Sequence, residues 1–281
     1  MPYFERAGQP RLNYELDDYT DPWKRAPTIL LQHGYARSTK FWRACVPYLA
    51  RFYRVLRLDL RGFGQSGTDF DLKTGLNLAA YVKDFNDLFD YLGIDAVHYC
   101  GESSAGTLGM AFAAECPQRV RTLTVISSPV AMTEEDKKSA LAGHPDRVTA
   151  LQKMGTRGWI ESSNAGRRFP ADADPRLLAW TLDEMGKSDV NVMIVSFIWT
   201  SNVDAEPYLP KIKAPVLAIY PQSGVITKEE HIDTLRNKVP DIRIVRIPLQ
   251  AHSLQIIAPA TCAETLLHFA ARHDGMACHE Q

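Results

Sequence analysis

The stretch AVHYCGESSAGTLGMAF, residues 96–112, decides the fold. It begins as an apolar run typical of a buried strand and continues, after a short turn, as an apolar helical pattern. A sharp strand-to-helix turn with small residues on either side exposes one side chain above the backbone. In the pattern Gly-x-Ser-x-Gly counted from Gly101, that side chain is Ser103, and Ala105 stands at the second glycine. The sequence therefore predicts a serine nucleophile at Ser103.

A second serine competes for this role. Counting back from Gly106 selects Ser104, but Glu102 then occupies a position where the tight turn requires a small residue. This conflict favours Ser103. In either case the following helix directs its free N–H groups towards an oxyanion formed during acyl transfer.

Apolar runs alternate with amphipathic segments along the rest of the chain. Six runs are typical of buried strands: 27–34, 53–60, 96–103, 120–129, 214–221 and 242–248. Four segments have a helical pattern: 39–52, 76–93, 104–117 and 259–273. Strands rich in Val, Ile and Leu that are joined through helices predict an α/β protein whose mostly parallel sheet is covered by helices on both faces.

Residues 130–207 interrupt this alternation, because their pattern is helical and contains no convincing strand. We interpret them as a helical cap inserted between two core strands, with the core formed by 1–129 and 208–281. The cap is expected over the carboxyl ends of the strands, where open α/β sheets bind ligands. Its aromatic residues Trp159, Phe197 and Trp199 are candidate contacts for a hydrophobic substrate of modest size, or else they hold the cap's own small core.

The overall composition narrows the choice of partners and location. With 32 basic and 33 acidic residues among 281, the net charge of −1 gives no electrostatic reason to expect a nucleic acid or an anionic membrane as partner. No apolar run is typical of a signal peptide or approaches the ~20 residues that a membrane span needs. The five cysteines are scattered without metal-ligand spacing. We expect a cytoplasmic protein that acts on a small molecule and requires no metal or other cofactor.

Three further segments carry a family resemblance together with the Ser103 turn. They are ILLQHGYARSTKFW (29–42), RLDLRGFGQSG (57–67) and PLQAHSLQIIAP (248–259). They resemble the oxyanion loop, the Asp-x-Arg-Gly-x-Gly-x-Ser turn and the catalytic-histidine loop of the α/β-hydrolase family. The resemblance covers nearly the whole chain outside the cap, and the nearest type is the small-molecule ester and lactone hydrolases such as 3-oxoadipate enol-lactonase.

The resemblance implies a role for each matching position. Ser103 is the nucleophile and His252 its general base. The backbone N–H groups of Tyr35 and Ser104 form the oxyanion hole. The residues implied to shape or support the oxyanion loop are His33, Gly34, Asp59, Arg61 and Gly62.

These roles imply a serine hydrolase that cleaves a carboxylic ester or lactone through an acyl-enzyme. Amidases, C–C bond hydrolases and peroxidase-like relatives use the same nucleophile and are the enzymatic alternatives. An alternative of a different class is a non-catalytic protein that binds a small ligand on the same fold.

The third member of a catalytic triad is absent where the resemblance implies it. Gly224 stands in place of the usual Asp, and Ser127 and Ser128 occupy the alternative site at the end of the preceding strand. We expect Glu102 to face away from the nucleophile. The other nearby carboxylates are expected at solvated helix starts, and they are Glu134, Glu135, Asp136, Glu229 and Glu230. Either an unanticipated carboxylate or a polar group such as Ser127 or Ser128 orients His252.

Overall fold

Eight strands form one sheet in the computed structural model, which describes residues 3–164, 166–224, 226 and 228–278. The strands are β1 (Tyr3–Arg6), β2 (Gln9–Asp17), β3 (Thr28–Gln32), β4 (Arg54–Leu58), β5 (Val97–Glu102), β6 (Val120–Ile126), β7 (Val216–Ser223) and β8 (Ile242–Gln250). Their order across the sheet is β1-β2-β4-β3-β5-β6-β7-β8. From β4 to β8 every neighbouring pair is parallel. The carboxyl ends of these strands therefore lie along one edge, and the loops that follow them share that edge.

Ten α-helices pack around the sheet within the described residues. They are α1 (Val46–Leu49), α2 (Leu78–Tyr91), α3 (Ser104–Glu115), α4 (Glu134–Lys137), α5 (Arg147–Asn164), α6 (Pro175–Met185), α7 (Val190–Asn202), α8 (Glu229–Lys238), α9 (Leu254–Ile257) and α10 (Pro259–Asp274). One core cluster contains the aromatic side chains of α2 and α3, such as Phe85 and Phe112. A second cluster, on the other face of the sheet, contains Trp42 and the apolar side of α10. The fold is thus the α/β-hydrolase fold that the sequence predicted.

The six predicted strands are confirmed as β3 to β8, but the sequence interpretation missed β1 and β2. These two strands add an antiparallel hairpin to the edge of the sheet, and β2 pairs with β4. Leu12 and Tyr14 of β2 are buried, whereas Arg11, which precedes them, is exposed. Asn13 between them is also buried, so the apolar residues of β2 stand singly among polar ones and do not form a continuous apolar run.

The chain between β6 and β7 is helical, as expected for the predicted cap. It contributes α4 to α7 and returns to the core beside its starting point, where Ala131 and Asp204 form an isolated antiparallel bridge. Of the three tryptophans in this segment, Trp159 is almost fully buried. Within the part of the chain that the structure describes, no helix is long and apolar enough to span a membrane.

Candidate active site

The turn between β5 and α3 carries Ser103, the predicted nucleophile. Ser103 has φ of 55° and ψ of −126°, a conformation that L residues rarely adopt. Its N–H donates to the carbonyl of Ile126 at 2.9 Å, which ties the turn to β6. A Cβ on Gly101 would lie 2.5 Å from the backbone oxygen of Ala105, so the close approach of strand and helix requires glycine there. This packing holds the Ser103 side chain at the carboxyl edge of the sheet.

His252 lies against Ser103 although 149 residues separate them in the chain. Its Nε2 is 3.0 Å from Ser103 Oγ. The loop that carries it follows β8, and the N–H groups of His252 and Ser253 donate to the carbonyl of Arg168 at 3.2 and 3.0 Å. The cap segment therefore helps to fix the loop that holds the imidazole.

The loop after β3 passes directly above the nucleophile. A Cβ on Gly34 would lie 2.6 Å from the carbonyl oxygen of Glu102 and 3.1 Å from Ser103 Cβ. His33 stabilises the loop, since its Nε2 accepts the N–H of Leu60 at 3.0 Å and its Nδ1 lies 2.8 Å from the carbonyl of Gly34. The loop therefore packs so closely against Ser103 that a residue larger than glycine at position 34 would require the backbone to shift.

Tyr35 and Ser104 both line the cavity that contains Ser103 and His252. Tyr35 follows Gly34 directly, and Ser104 is the first residue of α3. The Tyr35 hydroxyl donates to the carbonyl of Met193 in α7 at 2.7 Å. The side chain of Tyr35 thus reaches the helices above the cavity while its backbone remains beside the nucleophile.

The turn after β4 supports this arrangement from the side. Asp59 accepts the N–H of Thr39 at 2.7 Å and the side-chain amide of Asn13 at 2.7 Å, both with buried partners. Arg61 makes a bidentate ion pair with Asp84 of α2, with both N–O distances at 2.7 Å.

Gly62 in the same turn has a φ of +82°, and a Cβ there would lie 2.7 Å from Val192 Cγ1 of α7. The turn that the resemblance implied as a buttress therefore contacts both the loop after β3 and α7.

Glu102 corrects one expectation, because its side chain does not face away from the site. The carboxylate is fully buried and forms an ion pair with Arg37, itself almost fully buried. Its Oε1 lies 3.6 Å from Nε2 of His252, and Arg37 also donates to Ser253 Oγ at 2.7 Å. Glycine at position 34 leaves room for this carboxylate, since a Cβ there would lie 2.9 Å from Glu102 Oε2.

The other candidate carboxylates occupy helix starts, as predicted. Glu134 and Glu135 lie in the first turn of α4, and Glu229 and Glu230 in that of α8. Asp136 closes a capping box with Thr133 in α4 and lies at the cavity wall. Among the carboxylates of the described residues, Glu102 is the one within ion-pair distance of a His252 ring nitrogen.

Of the two serines at the alternative acid site, Ser128 bonds to backbone. Its Oγ donates to the carbonyl of Ile126 at 3.1 Å. Ser127 is fully buried beside it, with φ of 48°. Gly224 has open space around it, since an added Cβ would meet only Pro221 Cγ at 3.6 Å.

The surroundings of His252 favour the neutral imidazole. Burial first, and then the positive charges of Arg37, Arg168 and Arg167, hold the pKa of His252 well below its ordinary range. A neutral imidazole at physiological pH is the form that accepts a proton.

The cavity above Ser103 has a volume of about 110 Å³, and its wall carries charged side chains beside the apolar ones that the sequence predicted. Trp159 and Phe197 line it, as the sequence suggested. Trp199 is not among the described residues that line it, since its ring packs on that of Tyr81 with centroids 5.1 Å apart. Four arginines and one aspartate supply the charged part of the wall: Arg37, Arg147, Arg167, Arg168 and Asp136.

Sequence reasoning had not selected Arg37, Arg147, Arg167 or Arg168 as site residues. The adjacent pair Arg167–Arg168 within a largely helical segment was a visible signal. Within the described ranges, no group of three or more His, Cys, Asp or Glu side chains is placed to hold a metal ion.

Comparison with known proteins agrees with this geometry. Residues 27–151 match the family model described as alpha/beta hydrolase fold. The putative carbamate hydrolase RutD of Azorhizobium caulinodans is 24% identical over 98% of this chain and 100% of its own length. The strigolactone esterase D14 of Arabidopsis thaliana is 25% identical over 85% of this chain and 90% of its own length.

Among solved structures, the enol-lactonase from Burkholderia xenovorans LB400 superposes with a TM-score of 0.85. It is 23% identical and is matched over 96% of this chain and 100% of that one. The comparisons agree with the resemblance inferred from the sequence: the chain has the α/β-hydrolase fold, and the proteins to which it is similar include hydrolases of small molecules.

Proposed function

We propose that this protein is a serine hydrolase that cleaves a small carboxylic ester or lactone through an acyl-enzyme on Ser103. The observation that carries the proposal is the 3.0 Å contact between Ser103 Oγ and His252 Nε2 at the floor of a closed-in cavity. A serine hydroxyl becomes nucleophilic when a neutral base of this kind lies within hydrogen-bond reach.

In the first half of the reaction, His252 Nε2 takes the hydroxyl proton while Ser103 Oγ attacks the carbonyl carbon. The carbonyl oxygen becomes an oxyanion, and the backbone N–H groups of Tyr35 and Ser104 donate to it. The tetrahedral intermediate then expels the alcohol oxygen, which takes the proton from the imidazolium. The products of this half are an acyl-enzyme and a neutral alcohol, or a tethered hydroxyl if the substrate is a lactone.

In the second half, water attacks the acyl carbon and gives one proton to His252. Collapse of the second intermediate returns this proton to Ser103 Oγ and releases the carboxylic acid. Glu102 is the negative charge closest to Nε2, at 3.6 Å, and it opposes the repulsion that the arginines exert on the imidazolium. We assign Glu102 an electrostatic, positioning role, because the nitrogen it faces is the one that already contacts Ser103.

We also propose that residues 130–207 act as a cap over this site. Helices α5 and α7 contribute Trp159 and Phe197 to the cavity wall, and the Ala131–Asp204 bridge closes the base of the segment. A wall of this kind keeps water away from the acyl-enzyme while the expelled leaving group remains in the cavity.

Replacement of the nucleophile tests the proposal directly. Ser103→Ala and His252→Ala should each lower kcat for a p-nitrophenyl ester at least about a thousandfold, because neither member of the pair functions alone. A fluorophosphonate should label the wild type at Ser103 in a 1:1 ratio. Ser104→Ala is the matched control and should keep its labelling. Full activity in Ser103→Ala, or unchanged labelling of it, would contradict the mechanism.

A further inference from the structure

The positive charge of the four arginines around this small cavity exceeds the negative charge of the carboxylates that pair with them. Arg37 is accounted for, since it pairs with the buried Glu102. The remaining three, Arg147, Arg167 and Arg168, line the cavity beside Ser103 and are the subject here.

Arg168 is bound through neutral partners. Its Nη1 donates to the carbonyl and the hydroxyl of Ser163 at 2.7 and 2.6 Å. Its guanidinium lies over the ring of Trp159, 5.2 Å from the centroid. The backbone of the same residue accepts the N–H of His252, so this cation is fixed beside the catalytic loop.

Arg147 and Arg167 converge on one serine. Arg147 donates to the carbonyl and the hydroxyl of Ser139 at 2.8 and 2.7 Å, and Arg167 donates to the same hydroxyl at 3.2 Å. The Arg147 guanidinium also lies 4.8 Å from the ring centroid of Phe197. Uncharged oxygens thus orient both cations, and the ring of Phe197 also contacts Arg147.

No carboxylate of the described residues forms an ion pair with Arg147, Arg167 or Arg168. The nearest acidic residue of the wall, Asp136, uses its carboxylate to accept the N–H and hydroxyl of Thr133 at 3.0 and 2.7 Å. It also lies 3.4 Å from the ammonium of Lys228. Its carboxylate is therefore engaged at the start of α4, and Arg147 hydrogen-bonds to the backbone carbonyl of Asp136, at 2.8 Å, rather than to the carboxylate.

This grouping of like charges is costly without an anion. Burial, with repulsion from the other arginines, lowers the pKa of Arg168 to about 9, and burial chiefly lowers that of Arg147 to about 10. The three side chains are half-buried, and cations that are withdrawn from water in proteins are normally paired. Planar guanidinium groups bind carboxylates through two parallel hydrogen bonds, and Arg is the residue that such recognition favours.

Resting on the function proposed above, we propose that the substrate carries a free carboxylate, which Arg147, Arg167 and Arg168 bind while Ser103 attacks the ester or lactone carbonyl. The same anion opposes the repulsion between these arginines and the imidazolium that forms at His252. Binding of the substrate anion thereby strengthens the base that the unliganded site weakens. Trp159 and Phe197 contact the apolar chain between the two functional groups.

A matched pair of esters tests the proposal. Mono-4-nitrophenyl glutarate carries a terminal carboxylate, and 4-nitrophenyl pentanoate has a methyl group in its place. We expect the wild type to hydrolyse the anionic ester with kcat/KM at least tenfold higher. Equal values, or preference for the pentanoate, would overturn the proposal.

Substitution of the arginines separates charge recognition from a structural role. Arg147→Gln and Arg167→Gln should each lower the ratio of the two kcat/KM values about tenfold, and Arg147→Lys should recover part of it. Arg157→Gln is the matched control, since Arg157 lies in the same segment α5, beyond its break at Gly155, and is exposed and paired with Asp183. A parallel loss on both esters in Arg147→Gln and Arg167→Gln would overturn the proposal.

Binding of glutarate to Ser103→Ala gives a readout that does not depend on turnover. We expect saturable binding by calorimetry that is lost in Ser103→Ala/Arg147→Gln. If neither ester is hydrolysed but glutarate binds in this way, the hydrolase function fails and the carboxylate site stands. Absence of binding overturns the site, and tighter binding of inorganic phosphate than of glutarate replaces a carboxylate with a phosphate ester as its ligand.

Discussion

The floor and the wall of the cavity are built on different principles. The floor consists of Ser103, His252 and the loop at Gly34, and backbone constraints fix it: a positive φ at Ser103 and a glycine that touches Glu102. The part of the wall that the cap contributes combines the rings of Trp159 and Phe197 with Arg147 and neighbouring arginines, which neutral oxygens hold in place. Floor positions therefore tolerate almost no change in shape, whereas wall positions can change with the substrate.

The largest expected difference between floor and wall concerns buried charge. Arg37→Met leaves the fully buried Glu102 without its cation and should lower the free energy of unfolding by about 3–5 kcal/mol. Arg147→Met should cost far less, because it removes a cation that has no carboxylate partner among the described residues and relieves repulsion. Urea denaturation of both variants measures the contrast.

The double variant Arg37→Met/Glu102→Gln is the control for this prediction. It removes both charges and should be more stable than Arg37→Met alone. Equal losses of stability in Arg37→Met and Arg147→Met would show that floor and wall do not differ in this respect.

A change in the shape of a floor residue should have an intermediate effect, on kcat. Gly34→Ala places a Cβ 2.6 Å from the Glu102 carbonyl oxygen, so the loop and its Tyr35 N–H must move. Because a displacement of about 1 Å weakens catalysis strongly, kcat should fall about 10- to 100-fold. Steady-state kinetics with a p-nitrophenyl ester measures it.

Gly143→Ala in the cap is the matched control. An added Cβ there meets nothing within 4 Å, although its φ of +82° makes alanine unfavourable. Stability should decrease slightly while kcat remains. A loss of kcat equal to that of Gly34→Ala would contradict the distinction.

The smallest expected effect concerns the pH dependence of kcat/KM, because arginines of the wall act on the pKa of His252 in the floor. The low pKa of His252 keeps the imidazole neutral as pH falls through ~6.5, so kcat/KM for a neutral ester should stay on its plateau there. Arg168→Gln removes a positive charge that opposes protonation. The acid limb of the profile should therefore move to higher pH, towards the ordinary histidine value.

Arg157→Gln, distant from the imidazole on the exposed side of α5, should leave the limb in place. A wild-type profile that already declines at the ordinary histidine pKa would show that the wall arginines do not act on the base.

Most of the fold could be read from the sequence because it follows from local patterns. Apolar runs identified β3 to β8, and the turn at Ser103 followed from residues adjacent in the chain. The strands β1 and β2 were missed because polar residues, including the buried Asn13, interrupt their apolar positions. Short half-buried strands give a weaker signal than strands covered on both faces.

The pairing of Ser103 with His252 was predicted from a family resemblance, since nothing local relates positions 149 residues apart. The inward orientation of Glu102 accompanies its ion pair with the buried Arg37, 65 positions away in the chain, which no local sequence pattern shows. For the same reason Trp199 was expected at the cavity and lies instead on Tyr81.

By itself, then, the sequence determined the sheet, the nucleophile turn and the chemistry of the residues available, because these depend on neighbours in the chain. Only the tertiary structure decided the charge of the cavity. Arg37 comes from the loop after β3, while Arg147, Arg167 and Arg168 come from the cap, and folding brings these four cations together around one serine. Electrostatic interaction depends on distance in space, and a net charge of −1 over the whole chain does not reveal where the positive charges meet.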